Sequence, residues 1–242
     1  EHEILDVADV PVAIGGLARH NVSNALAAAG GARAMGATLE QIADGLHHFS
    51  PSAALSPGRM NLYRLGRRTV IVDFAHNEAG TEAILDVAEA LAGGAAGGTV
   101  PITAIIGTAG DRPDETLRGI GRIAAERVQR VAIKETLSYL RGRERGEIIR
   151  MIRDGITDGG MDGDAVPVYE TEPMALEAEL VGPGAAIADG GRPDAPRVLV
   201  LLCHEARDEV FALLGHLGAR PMDIAAEAER HGGLREAAPR LG

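Results

Sequence analysis

Polar residues able to hold a nucleotide gather where apolar runs stop. In "TVIVDFAHNEAGTEAI", residues 69–84, a β-branched run ends at Asp73 and is followed by His76, Asn77 and Glu78. A carboxylate at a strand end can accept hydrogen bonds from ribose hydroxyls. In "GGLARHNVSNALAAAGG", His20, Asn21 and Asn24 open a helical pattern. An amide carries both a donor and an acceptor, so Asn21 and Asn24 can read an adenine edge by paired hydrogen bonds. In "SPGRM", Arg59 offers a planar fork to phosphate or ribose oxygens. Each residue also has a plainer reading. The asparagines can cap a helix, Asp73 can close a turn, and His76 and Arg59 can be ordinary surface groups. His47-His48 lack a third metal ligand, and Cys203 ends the apolar run "VLVLLC".

These residues need elements to position them. Residues 4–14 alternate and predict a strand. Helices are expected over 20–35 and over 39–48, the second capped by Thr38 with Gln41 at its start. "SPSAALSPG", 50–58, is rich in proline and serine and marks the domain boundary. Beyond it, strands at 60–65 and 68–74 pair. Strand and helix then alternate: helix 79–92, strand 102–107, helix 114–128, strand 130–134, helix 144–155, strand 166–169, helix 172–181, strand 197–203 and helix 205–216. Near-continuous Val, Ile and Leu runs suit a parallel sheet buried on both faces. The alternation predicts a doubly wound, mostly parallel α/β fold. In such a sheet ligands sit beyond the carboxyl ends of the strands. There the order places Asp73 to Asn77, "GTAGDR" (107–112), Lys134-Glu135 and His204-Glu205. The tail from 218 reads as a loose helix or disorder.

Bulk composition narrows the function. The 242 residues carry 24 basic and 35 acidic side chains, a net charge of −11. Such a balance disfavours nucleic acid as a partner, and none is expected, because phosphate binding runs on Lys and Arg. Three Phe, three Tyr and no Trp leave few platforms for base stacking. A single cysteine fits a reducing cytoplasm. No apolar run reaches the roughly 20 residues of a membrane span. Residue 1 is Glu inside a strand-like segment, so the chain is expected to begin within a longer polypeptide.

"HNVSNALAA", then "GRM", then "VIVDFAHN", in that order, resembles the Mur ligase family of ATP-dependent carboxylate–amine ligases. Glu78 stands where that family usually has proline, and Asn61 where its linker commonly has Glu. "GTAGDRPDE" followed by "KETLSYLRGRERGE" is similar to the carboxy-terminal part of cyanophycin synthetases. There "ETLSYL" replaces a more acidic stretch, so the substrate can differ. The resemblance spans nearly residues 10–215. It implies the end of a central ATP-binding domain over 1–50, a linker over 51–58, a Rossmann-like carboxy-terminal domain over 59–217 and a tail over 218–242.

The resemblance also implies chemistry. ATP phosphorylates an acceptor carboxylate, and an amino-acid amine displaces phosphate from the acyl phosphate. Asn21, Asn24, Arg59 and Asp73 would hold the nucleotide, with His76 as the catalytic candidate near its terminal phosphate. Arg112, Lys134, Glu135, Arg141, Arg143 and Glu205 would form the amino-acid pocket. Neither glycine-rich stretch, "GGAAGG" nor "GTAGDR", ends in the Lys-Ser/Thr of a phosphate loop. Most Mg2+ ligands and that loop are expected upstream, so this chain alone should neither hydrolyse ATP nor ligate. The expected partners are ATP, an amino acid and a carboxylate acceptor, in the cytoplasm, with self-association left open. A folylpolyglutamate- or peptidoglycan-type ligase and a non-catalytic binding module remain alternatives. An oxidoreductase is disfavoured, because no G-x-G-x-x-G loop follows the first strand.

Overall fold

A computed structural model describes residues 3–93, 99–192 and 194–222. The described amino-terminal part holds helices and turns and no strand. Residues 4–14 form no strand; they make two 3₁₀ turns, Val7–Asp9 and Pro11–Ala13. The alternation misleads because Asp6 caps the first turn, accepting from Ala8 N at 2.8 Å. Pro11, which has no N–H for a ladder, opens the second turn. Helix α1 spans Arg19–Ala34 and α2 spans Leu39–His48. The Thr38 cap is a full capping box with Gln41, with bonds of 2.9 and 3.2 Å.

A seven-stranded sheet follows, with strands β1 (Asn61–Leu65), β2 (Arg68–Asp73), β3 (Ile102–Ile106), β4 (Arg130–Lys134), β5 (Val168–Tyr169), β6 (Arg197–Leu202) and β7 (Arg220–Pro221). Their order is β5-β4-β3-β6-β2-β1-β7, parallel from β5 to β2. β1 is antiparallel to β2 and to β7. The fold is the doubly wound, mostly parallel α/β architecture that the strand–helix rhythm predicts. Helices α3 (Glu78–Gly93), α4 (Asp114–Arg127) and α5 (Arg145–Asp158) cover one face. They pack on Ile71, Ala104, Val131 and Val200. Helices α6 (Glu172–Leu180), α7 (Pro183–Ala188) and α8 (Arg207–His216) complete the chain order, and α6 and α8 cover the other face against Val70, Val72, Leu199 and Leu201.

Sequence reading misses α7 and β7 and overextends β5, which keeps two residues. Most of the expected tail, residues 223–242, lies outside the described residues, as does the glycine-rich loop 94–98. Among the described residues no helix is long and apolar enough to cross a membrane. Ile14 and Ala18, ahead of α1, share the apolar cluster of Met60, Ile71 and Ile84. That shared core presses the helical segment against the carboxyl end of β2.

Consecutive helices on opposite faces create a switch point. The chain leaves β2 toward α3 on one face and leaves neighbouring β6 toward α8 on the other. The crevice between such strand ends is where open α/β sheets bind ligands.

Candidate functional site

A cavity of about 900 Å³ lies between α1 and α2 on one side and the end of β2 and the start of α3 on the other. His20, Asn21, Asn24, Arg59, Asp73 and His76 all line it. The five residues proposed from sequence for nucleotide contact and catalysis therefore face one space, although Asn21 and His76 are 55 positions apart. Its size falls within the range of small-molecule sites.

Small residues make the space. Ala25, Ala28, Ala29 and Ala32 recur at helical spacing on one face of α1, and all line the cavity. Ala79 and Ala83 of α3 line it too. Alanine carries no side chain long enough to fill the gap.

The polar residues are held by the backbone. Asp73 Oδ2 accepts from Met60 N and Oδ1 from Ala75 N, each at 2.8 Å. Burial raises the Asp73 pKa above the usual carboxylate value, opposed by these two N–H groups and by Arg59. Met60 reaches Asp73 from a left-handed conformation, φ +50°. Asn61, where the family commonly has Glu, accepts from Gly58 N at 2.7 Å and donates to Ser56 O at 3.1 Å. It thereby fastens the linker that presents Arg59.

The Arg59 guanidinium lies 4.9 Å from the centroid of Phe74. A guanidinium stacked on a ring keeps its N–H donors in plane for an anion. His76 Nδ1 sits 3.1 Å from Phe74 O, which makes Nδ1 the protonated nitrogen and leaves Nε2 as the acceptor. Burial lowers the His20 pKa, while Asp73 opposes that shift.

The two asparagines split their roles. Asn21 is buried, donates to Val12 O at 3.0 Å and accepts from Asn24 Nδ2 at 3.2 Å. Asn24 is exposed on the cavity wall. Asn21 thus orients Asn24 rather than offering a whole amide edge of its own.

Glu78, where the family usually has proline, starts α3 and packs against α4. A Cβ on Gly119 would come within 2.6 Å of Glu78 Cγ. Asn77 caps the helix by accepting from Gly80 N at 2.8 Å. The turn is re-anchored through these contacts rather than stiffened by a ring.

The six amino-acid-pocket candidates behave differently, and none lines this cavity. Lys134, the only lysine in the sequence, is 1% exposed. Its Nζ donates to Glu172 Oε1 at 2.6 Å and to His204 Nδ1 at 2.7 Å. Burial pulls the Lys134 pKa down, and the Glu172 carboxylate opposes it. Three acceptors surround the nitrogen: Glu172 Oε1, His204 Nδ1 and Thr136 Oγ1. Glu135 is buried and paired with Arg145. Arg143 holds the "GTAGDR" loop, donating to Gly110 O at 2.8 Å and Arg112 O at 3.1 Å and pairing with Asp114 at 2.6 Å. Glu205 accepts from Ser138 N at 2.6 Å. Arg112 is half-buried beside Asp111. Arg141 is exposed at φ +53°, 5.0 Å from the Tyr139 centroid. In this structure Lys134, Glu135 and Arg143 are occupied in internal bonds; Lys134 and Glu135, buried at the end of β4, need such partners.

Sequence reasoning assigned no role to His20, Phe74 or Glu172. His20 stands beside the asparagines and Phe74 beside Asp73, so their spacing was a usable signal. Glu172 had none, because only the fold brings the start of α6 to Lys134 and His204. Among the described residues no three of His, Cys, Asp or Glu gather to hold a metal ion. Asp73 is the single carboxylate in the lining of this cavity, too few oxygen ligands for a magnesium site made by these residues alone.

A family model described as Mur ligase, glutamate ligase domain matches residues 58–191. The cyanophycin synthetase of Crocosphaera subtropica is 37% identical over 185 residues, covering 76% of this chain and 20% of that protein. That of a Synechocystis species is 38% identical over 171 residues, covering 71% and 19%. The chain thus spans about a fifth of these relatives' length. A murein peptide ligase from Psychrobacter arcticus shares the fold, with a TM-score of 0.53 at 20% identity, over 82% of this chain and 37% of that one.

Proposed function

Because the chain belongs to the Mur ligase family, we propose that it is the nucleotide-closing, carboxy-terminal part of an ATP-dependent ligase joining an amino acid to a carboxylate. The observation that carries this reading is the convergence of Asn24, Arg59, Asp73 and His76 on one alanine-walled cavity. In this reading residues 1–50 complete the central domain, 51–58 are the hinge and 59–217 the closing domain.

The adenine lies against the alanine face of α1, with the Asn24 amide at its edge. Asp73 has two of its roughly four lone-pair sites engaged, which leaves capacity for ribose hydroxyls. Arg59 supplies in-plane donors to phosphate oxygens. His76 Nδ1 is engaged with Phe74 O, so Nε2 would be the nitrogen that meets the phosphates.

Transfer of the γ-phosphoryl group to the acceptor carboxylate gives an acyl phosphate, which the amine then attacks. Positioning and charge stabilisation do most of the work in such a transfer. Closure of the domain would exclude water from the acyl phosphate. Arg112, Arg141 and Glu205 would meet the amino acid, where a zwitterion needs both a cation and an anion. The phosphate loop and magnesium ligands would come from upstream sequence, in a cytoplasmic enzyme.

Calorimetric titration with ADP tests the nucleotide part of this reading. The chain should bind ADP, and Arg59→Ala and Asn24→Ala should each weaken binding about tenfold, as for loss of a charged or paired hydrogen bond. No binding, or equal binding by all three proteins, would retire it.

A further inference from the structure

We propose that Lys134, Glu172 and His204 form a buried latch that positions the 73–77 turn for nucleotide contact, with His204 as the positioning residue. The role assigned to the turn rests on the nucleotide reading above; the latch itself rests on geometry.

The latch spans two strand ends. Glu172 Oε1 takes the Lys134 ammonium at 2.6 Å. The same carboxylate accepts backbone N–H groups of His204, Glu205 and Ala206, so it fixes the loop after β6. Lys134 Nζ also donates to His204 Nδ1 at 2.7 Å. An ammonium has only donors, so Nδ1 must be the acceptor and the proton of the neutral ring must sit on Nε2. His204 Nε2 lies 2.9 Å from Ala75 O and donates to it. Both ring nitrogens are therefore committed, each in one direction.

Ala75 belongs to the same turn as Asp73 and His76. Its N–H binds Asp73 Oδ1 and its carbonyl takes the His204 proton. The His204 ring also meets Phe74 edge-on, with centroids 5.1 Å apart, and Phe74 carries the Arg59 guanidinium. Two routes thus run from one buried imidazole to the cavity wall. Lys134 and Glu172 are each about 1% exposed, so neither meets a ligand directly. A buried ion pair contributes little net stability but penalises any geometry that leaves one charge unpaired. A rigid turn follows from that penalty. Gly107 makes room for it, since a Cβ there would lie 2.1 Å from Lys134 O.

Three measurements test the latch. In the 15N-histidine-labelled chain, His204 should remain the neutral Nε2–H tautomer between about pH 5 and about pH 8. A doubly protonated ring or the Nδ1–H tautomer in that range overturns the proposal without any variant. His204→Phe keeps the ring but loses both polar atoms; it should shift the His76 ring resonances and weaken ADP binding about tenfold. His204→Gln can keep a donor to Ala75 O and should restore the His76 resonances and most of the affinity. A merely structural role would move thermal stability in both variants and leave His76 alone. Unchanged His76 resonances in a folded His204→Phe chain overturn the latch. Failure of the wild-type chain to bind ADP counts against the nucleotide reading only, and the tautomer and His76 resonances still decide on the latch.

Discussion

The Asp73 carboxylate accepts the backbone N–H of Met60 at 2.8 Å, joining the last residue of β2 to the exit of the linker. One side chain thereby sets the position of Arg59, which precedes Met60, against the turn that carries His76. Both ends of this tie, Met60 and Asp73, line the cavity.

Asp73→Asn keeps the shape of the side chain but turns one acceptor into a donor. That donor would face the N–H of either Met60 or Ala75. An unpaired buried group costs about 1–3 kcal/mol. Urea unfolding should show a loss of that size, with ADP affinity falling as well. Unchanged stability would mean that the two backbone bonds do not form.

Gly58→Ala probes the linker. Gly58 has φ +73°, and a Cβ there would stand 2.8 Å from Arg207 Cδ. The left-handed backbone alone disfavours alanine by about 1 kcal/mol. The variant should unfold at lower temperature and bind ADP more weakly, because Arg59 is the next residue. Full retention of both properties would show that the linker adopts another path.

Acid should weaken the fold through His204. Burial, reinforced by the adjacent Lys134 charge, lowers the His204 pKa below its ordinary value of 6.5. The unfolded chain therefore binds the extra proton first. The stability from a neutral His204 is fully present above about pH 6.5 and is lost as pH falls toward the folded-state value. The slope for one such group is at most about 1.4 kcal/mol per pH unit. Urea midpoints measured from neutral pH down to mildly acidic pH should fall in the parent chain. They should fall less in His204→Gln, which has no titrating ring.

Much of the fold was legible because its strands are short apolar runs between amphipathic helices. β4 agrees residue for residue, and α2 follows from Thr38 and Gln41. Residues 4–14 failed because alternation without a pairing partner does not make a strand. β7 was hidden because its two residues pair only once β1 offers an edge. The site was partly legible for a similar reason. Asn24, Arg59, Asp73 and His76 sit in short motifs, and the strand-end rule collects them. Lys134 looked like a ligand group in sequence, since exposure cannot be read from type alone. Only the fold shows that Glu172, 38 positions later, takes its charge.

In the proposed function the cavity between α1 and α3 receives a nucleotide. Histidine resonances followed during an ADP titration test it most directly. His20 and His76 line the cavity, while His48 and His216 do not. Saturable shifts of His20 and His76 are expected, with His48 and His216 unmoved. Shifts confined to His48 or His216, or none at saturating ADP, would contradict it.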